Sequence, residues 1–595
     1  MANSHLFRQS FLLLIVMVGT SLNREGWCSR AAETQPDPGE YATDRVNPSA
    51  SDRPTLPDIN DLPSYPEQLP LMKMIDGTPL STLTDWETER KPELIQAMQH
   101  YTYGYLPPPY PVRATRLKSR GDAFAGLAAY EDIQLDIPLP SGNTATIYLA
   151  LFIPHGTGVR KPVIIYLSGQ ANHMSTTYDQ VTVRTYAGHF PATRGTWQAN
   201  YVANVEYPLT RGYAVAHFCT EDLDPDVDND IEDGLYRLLG AHVPGSPEHR
   251  LRQQISWAWG VHRVVDYLVS REDIDDGRIV VNGFSRRGRA AAVASALDDR
   301  IALCWNHAGG ATHSWRDGEL YDAGYMYWFN DYHLRFVGRE ALVPFDGNAM
   351  IALHAPRPLL DTGGDHPGLP GESYVIYDCH DHASAYGEML SADVVYRLYP
   401  EVQGVVGTAT GPSVPRQYRG RLFQVVDTQK GHFQDIEFWK HGIDFMDVQF
   451  KGRCVDPYST HVYEAEEAIL SGCTPASTKI HHYGSGYVGG LDAKGDSLEF
   501  RSVCPGPGTH YIGIRAACGG LNKPQQISVA VNGQTAATQH ELVCWTDQLW
   551  FMDYRIKAHF APGDNTVRIT KQNAGQLYVD RLVIYTYDRD AGAPR

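Results

Sequence analysis

Three residues stand in the order that nucleophilic acyl chemistry needs: Ser285, Asp365 and His432. A serine hydroxyl attacks a carbonyl only when a base takes its proton. A third group must orient that base, and donors must meet the developing oxyanion. Ser285 lies in "RIVVNGFSRRGRAAAVASALDDRI" (278–301), where a short apolar run enters Gly283-Phe284-Ser285 and an Ala-rich helical segment follows at once. That is the shape of a nucleophile elbow, although the next glycine, Gly288, comes one residue later than in G-x-S-x-G. Arg286 and Arg287 stand between. His432 lies in "VVDTQKGHFQDIEFW" (425–439), in a loop between an apolar run and an amphipathic helix. Asp365 follows "PRPLLDTGG" (356–364). The order serine, acid, histidine is that of a doubly wound hydrolase. Each residue taken singly has a plainer reading. A serine before a helix is usually an N-cap, and an aspartate in a Gly/Pro stretch is a common turn residue. Order and strand-end placement together favour the triad.

The elements that must position these residues are legible. "PVIIYLSG" (162–169), "GYAVAHFC" (212–219), "RIVVNG" (278–283), "IALCWNHAGG" (301–310), "PRPLLDTGG" and "RLFQVVD" (421–427) are short apolar runs. They suit strands buried on both faces. Trp257, Val261, Val264, Val265 and Leu268 follow one face of a helix, and residues 435–450 form another amphipathic helix. Alternating strands and helices predict a mostly parallel sheet with helices on both faces. After about Val455 the texture changes to short alternating strands with Gly and Asn turns, which predicts an all-β sandwich. The expected organisation is a signal peptide over 1–31, a linker over 32–65, an α/β-hydrolase domain over 66–454 and a β-sandwich over 460–588.

Bulk properties narrow the function. The apolar run "FLLLIVMV" (11–18) is too short to span a bilayer and reads as a secretory signal, so the expected location is extracellular or periplasmic. The formal net charge of −18 argues against nucleic acid and anionic membranes as partners. It also makes the cluster Arg286, Arg287 and Arg289 conspicuous. Of nine cysteines, Cys28 lies near the signal. Five others (Cys454, Cys473, Cys504, Cys518 and Cys544) crowd the last quarter, where at least one disulfide is expected. The absence of any C-x-x-C pair argues against a structural zinc. The acidic run "EDLDPDVDND" (221–230) lacks EF-hand spacing and reads as a solvated loop. Arg287 reads as a solvated helix residue. Trp257 and Trp305 are candidates for stacking on sugar rings, against the commoner core role. A monomer is expected.

Several stretches carry a family resemblance: "DWETERKPELIQAMQHYTYGYLP" (85–107), "LTRGYAVAHFCTEDLDPD" (209–226), "ISWAWGVHRVVDYLVSREDIDDGRIVVNGFSRRGRAA" (255–291), "APRPLL" (355–360) and "GHFQDIEFW" (431–439). Over about 66–452 the chain resembles the glucuronoyl esterases of carbohydrate esterase family 15, especially bacterial members. Their elbow reads G-x-S-R-x-G-K/R, so the late glycine is a family trait. The resemblance implies Ser285 as nucleophile, His432 as base, Arg286 as an oxyanion contact and Arg289 on the sugar hydroxyls. The implied substrate is an ester of a glucuronic acid residue in a plant or algal polysaccharide, cleaved without an organic cofactor. Many members place the acid just after the next strand. Position 308 here is alanine, flanked by Asn306, His307 and Gly309. Some bacterial members carry the acid after the later strand, and Asp365 matches that alternative. Asp361 comes too early, within the strand, and Asp378 and Asp381 are further alternatives.

The segments 463–472, 484–500, 531–533 and 573–585 resemble carbohydrate-binding modules of family 35, with family 6 close behind. This resemblance implies a structural calcium ion held by Glu464, Glu466 and Asp580, and ligand contacts from Tyr487, Trp550 and Asn573. It also implies a polysaccharide containing uronic acid as partner. Two other functions fit less closely: a carbohydrate esterase acting on acetyl groups or another uronate polymer, and a carbohydrate-binding protein with a degenerate hydrolase domain.

Overall fold

The computed structural model describes residues 55–587 apart from 124–127, 156–159, 170–201, 228–232, 318–325, 365–381, 401, 411–417, 419, 428–431, 433, 453–457, 480–481, 483–484, 520–524 and 543–550. A ten-stranded sheet carries the first two thirds of it. Its strands are β1 (Arg113–Asp122), β2 (Ala128–Pro138), β3 (Thr144–Pro154), β4 (Lys161–Ser168), β5 (Ala214–Cys219), β6 (Ile274–Phe284), β7 (Ile301–His307), β8 (Leu359–Gly364), β9 (Val405–Thr410) and β10 (Leu422–Asp427). They lie in the order β1-β2-β3-β5-β4-β6-β7-β8-β10-β9. All six apolar runs are strands. From β5 to β9 the sheet is wholly parallel. An antiparallel meander of β1, β2 and β3 extends it along β5. The central strands are mostly apolar and largely buried because both faces are covered. On one face Val163, Ile165, Ala216 and Val281 meet Trp257, Val261, Ala290 and Val293 of the helices Gln253–Val269 and Arg286–Leu297. On the other, Ile164, Val215, Val280 and Trp305 meet Trp439, Ile443 and Met446 of the helix Ile436–Lys451. The fold is that of an α/β-hydrolase.

The folded body starts before Pro66. Ile59 and Leu62 are buried in the same core as the sheet, and the Ile59 amide donates to the Tyr332 hydroxyl at 3.0 Å. Proline and aspartate density there marks an irregular backbone rather than an unpacked one.

Eleven short strands follow: β11 (Tyr458–Glu464), β12 (Ile469–Ser471), β13 (Thr474–Ala476), β14 (Tyr487–Gly489), β15 (Ser497–Val503), β16 (Gly508–Cys518), β17 (Gln525–Val531), β18 (Gln534–Leu542), β19 (Phe551–Phe560), β20 (Asn565–Lys571) and β21 (Leu577–Tyr587). One sheet runs β13-β14-β21-β16-β19, with β11 also on β21. The other runs β12-β15-β20-β17-β18. Leu498, Ile512, Ile514, Ile527, Ile569 and Leu582 fill the space between them. The two parts of the chain share side chains. Val583 and Tyr585 of β21 are buried among hydrolase residues that include Val205, Ile436 and Trp439. The Tyr585 hydroxyl donates to Glu437 at 3.3 Å, Lys440 lies over its ring at 4.3 Å, and Lys557 pairs with Glu206 at 3.0 Å. Cys518 is disulfide-bonded, whereas Cys219, Cys304, Cys473 and Cys504 are free thiols. No helix among the described residues is long and apolar enough to cross a membrane.

Candidate active site

Ser285 joins β6 to the helix Arg286–Leu297 with φ +59° and ψ −135°. A side chain pays for that backbone conformation, and it persists only where the surroundings enforce it. Two contacts do so here. The Ser285 amide donates to the His307 carbonyl of β7 at 2.8 Å, and the Gly288 amide donates to the Ser285 carbonyl at 2.7 Å. The flanking glycines are obligatory for steric reasons. A Cβ on Gly283 would stand 2.1 Å from the Arg287 carbonyl oxygen. One on Gly288 would stand 2.7 Å from Oδ1 of Asn306. The turn therefore lifts the Ser285 side chain clear at the carboxyl end of the central strand.

His432 meets it from the other side of the sheet. Its Nε2 lies 2.8 Å from Oγ of Ser285, and Phe284 packs beside the imidazole at 4.8 Å. The residue is exposed to solvent, and the protein packed around it still partly desolvates the ring. That desolvation, and second the Arg286 guanidinium, push its pKa down to about 4. The imidazole is thus neutral near pH 7 and ready to accept the serine proton. Its Nδ1 has no hydrogen-bond partner among the described residues. Asp365, and the alternatives Asp378 and Asp381, lie outside them. Asp361 lies inside β8, wholly buried. It accepts from Asn306 at 2.6 Å, Thr312 at 3.2 Å and Gln424 at 3.4 Å. Ala308 has φ +50°, and its amide donates to the Thr362 carbonyl. The chain makes the turn after β7 without a carboxylate on it.

The arginines divide their work. Arg286 donates to Asp226 at 2.7 Å and stacks on Trp328 at 4.9 Å. Arg287 is not a solvated helix residue. It donates to Thr220 at 3.2 Å and Glu221 at 2.8 Å and lies over Trp257 at 5.2 Å. Arg289 is buried, with its guanidinium on the Gly310 carbonyl at 2.8 Å and against the rings of Trp315 and Phe329. The helix turn after Ser285 aims it into the core, where its Nε has no hydrogen-bond partner among the described residues. Trp257 and Trp305 are core residues as well. Their indole N–H groups donate to the Asp224 carbonyl and the Thr362 hydroxyl, each at 2.8 Å.

The acidic run differs most from its sequence reading. Glu221 and Asp224 are buried rather than solvated. Asp226 accepts from Tyr327 and Trp328, each at 3.3 Å, as well as from Arg286. Burial pushes the Glu221 carboxyl up to about 7, against the pull of Arg287. The signal for this pairing was in the sequence: an acidic run follows one central strand and a basic cluster follows another. In a parallel sheet both emerge at the same edge.

In the sandwich, Glu464 pairs with Arg581 at 3.0 Å, and Glu466 accepts from the Ser485 amide and hydroxyl. Each keeps one buried carboxylate oxygen, Oε2, without a hydrogen-bond partner. Oxygens of that kind suit a hard cation. Asp580 fits less well, because its carboxylate meets Arg515 at 2.6 Å and Arg581 at 3.6 Å. The described residues hold no cluster of three metal-ligating side chains. Tyr487 is buried against Ala517 and Tyr578, and Asn573 gives its side-chain oxygen to Gln526 and Lys571. Trp550 lies outside the described residues.

A family profile described as "Glucuronyl esterase, fungi" matches residues 171–398. The chain is 28% identical over 400 residues to carbohydrate esterase MZ0003 of an unknown prokaryotic organism, covering 61% of this chain and 83% of that protein. It is 26% identical over 356 residues to 4-O-methyl-glucuronoyl methylesterase 1 of Wolfiporia cocos, covering 56% and 72%. Among solved structures, a glucuronoyl esterase from Solibacter usitatus superposes with a TM-score of 0.54 at 23% identity, over 65% of this chain and 99% of that one. A promiscuous esterase of carbohydrate esterase family 15 from a marine bacterial metagenome gives 0.53 at 23%, over 66% and 98%. These structures establish the α/β-hydrolase fold. Profile and sequence both match glucuronoyl esterases, which are carboxylic ester hydrolases.

Proposed function

We infer that this chain is a secreted serine esterase of the glucuronoyl esterase family, hydrolysing esters of glucuronic acid residues in polysaccharide. One observation carries the reading: a strained Ser285 with its hydroxyl 2.8 Å from the neutral imidazole of His432. Ser285 gives its proton to Nε2 of His432 as Oγ bonds to the C6 carbonyl carbon of the uronate. Negative charge gathers on the former carbonyl oxygen. Arg286 and backbone amides at the helix start meet it with positive charge. Collapse of the tetrahedral intermediate breaks the bond to the alcohol, which takes the proton from His432. Water then repeats the sequence on the acyl-enzyme and regenerates Ser285. Asp365 orients His432 through Nδ1, as the chain order of its strand supports.

The alcohol is a lignin alcohol of a lignin–xylan linkage or methanol. The β-sandwich is a carbohydrate-binding module resembling family 35. Glu464 and Glu466 would hold a calcium ion there through their unpartnered oxygens, with Asp580 as third ligand only if Arg515 yielded it, and such an ion would supply a structural cross-link. The leader at 11–18 directs export.

The test is hydrolysis of benzyl and methyl glucuronate by the native protein and by Ser285→Ala, with folding checked by circular dichroism. Turnover by the native protein alone supports the reading. Turnover of acetyl esters but not of glucuronates assigns another carbohydrate esterase. Polysaccharide binding without turnover of either assigns a binding protein.

A further inference from the structure

Arg286 follows the nucleophile directly, but its side chain is long and its helix position alone does not decide where the guanidinium points. A hydrogen-bond hub decides it. Asp226, sixty residues upstream on the loop after β5, accepts from Nη1 of Arg286 through Oδ2 at 2.7 Å. Its other oxygen, Oδ1, accepts from the indole N–H of Trp328 and the hydroxyl of Tyr327, each at 3.3 Å. Trp328 is the ring on which the Arg286 guanidinium lies, at 4.9 Å. One carboxylate thus holds both the guanidinium and the platform beneath it. Asp226 is one-tenth exposed on its side chain. The neighbouring arginine reaches the same Asp226 oxygen only as a longer, secondary ion pair. Arg287 has Glu221 at 2.8 Å and sits 3.7 Å from Asp226.

We propose that Asp226 is a positioning residue for the esterase reaction, fixing the Arg286 guanidinium against Trp328 so that it faces the oxyanion. The proposal rests on the serine-esterase reading but not on the sugar. A pre-aimed charge costs no reorganisation as the oxyanion forms. A carboxylate at one edge also partly neutralises that charge, so the hub trades field strength for direction.

The experiment reads Ser285 by its rate of labelling with a fluorophosphonate, which places a phosphoryl oxygen where the oxyanion forms and needs no sugar. Asp226→Ala is expected to slow labelling roughly ten- to a hundredfold, as small misplacements at a reacting centre do. Asp226→Asn, which keeps an acceptor, is expected to fall between that variant and the native protein. Arg286→Ala is expected to slow labelling similarly, and Asp226→Ala to add nothing in that background. Additive losses in the double variant would overturn the proposal and leave Asp226 a merely structural residue. Native labelling rates in Asp226→Ala would also overturn it, while fast labelling of the native protein still upheld Ser285 as nucleophile. A native protein whose Ser285 does not label sinks both the nucleophile reading and this inference. Where a glucuronate ester is turned over, the loss is expected in kcat, with KM little changed.

Discussion

The amide of Ser285 donates to the carbonyl of His307 at 2.8 Å, tying the elbow to the neighbouring strand. That bond helps hold Ser285 at φ +59°. The strain it stores is worth about 1–3 kcal/mol in folded proteins generally. Ser285→Gly removes the Cβ that makes this backbone costly. It is expected to raise Tm while abolishing ester hydrolysis. Ser285→Ala keeps the Cβ, and is expected to lose on the order of 10⁴-fold or more in kcat with Tm near native. Calorimetry of the two variants side by side checks it, and a Gly variant less stable than the Ala variant would contradict it.

His432 titrates low, near 4, because of burial first and Arg286 second. The acid limb of kcat/KM for the free protein is therefore expected near pH 4. Removing the Arg286 charge favours the imidazolium, so in Arg286→Gln that limb moves to higher pH. It stops short of the ordinary histidine value, because burial, the larger cause, is retained. A pH–rate series on a small glucuronate ester measures both limbs. An unmoved acid limb would show that Arg286 does not act on His432.

Glu221 behaves in the opposite sense to an ordinary paired carboxylate. Burial raises its pKa in the folded state to about 7, above the unfolded value. Between the two values the folded chain binds a proton that the unfolded chain does not. Stability from this group is therefore lost as pH rises from about 4.5 to 7. Glu221→Gln removes that dependence. The Tm of the Gln variant relative to the native protein is expected to rise between pH 5 and pH 7. A constant difference across that range would count against it.

Tyr585 belongs to the sandwich in sequence and to the hydrolase core in space. Its removal strips a buried ring from beside the helix that follows His432. Tyr585→Ala is expected to cost about 3 kcal/mol or more of stability. It is also expected to lower the unfolding temperature of the hydrolase part, as read by its tryptophans. Unchanged hydrolase unfolding would show that the two parts are thermally independent.

Asp365→Ala is expected to lower kcat on the order of 10⁴-fold with KM little changed, as loss of a triad acid does elsewhere. Native activity in that variant, with Asp378→Ala or Asp381→Ala inactive, would move the role to one of those residues.

The sequence by itself determined the parallel sheet, the elbow and its base. Apolar runs such as 162–169 and 278–283 are too short and too uniformly buried for anything but central strands. A serine between such a run and an Ala-rich helix has few other places to go. The meander of β1, β2 and β3 is not legible there, because β1 and β2 mix charged and apolar positions and all three lack the flanking helices that mark a parallel unit. Tertiary structure alone decided the fate of each charged side chain. Nothing local distinguishes Arg286, whose guanidinium lies on Trp328, from Arg289, driven into the core against Trp315 and Phe329. Only the helix's rotation against the sheet separates them. Likewise "EDLDPDVDND" reads as solvated, since like charges in sequence repel and seek water. Glu221 is buried and Asp226 half-buried because the fold sets Arg286 and Arg287 opposite them. Charge patterning along a chain reports composition, whereas the Coulomb energy of a pair depends on a distance that only the folded chain sets.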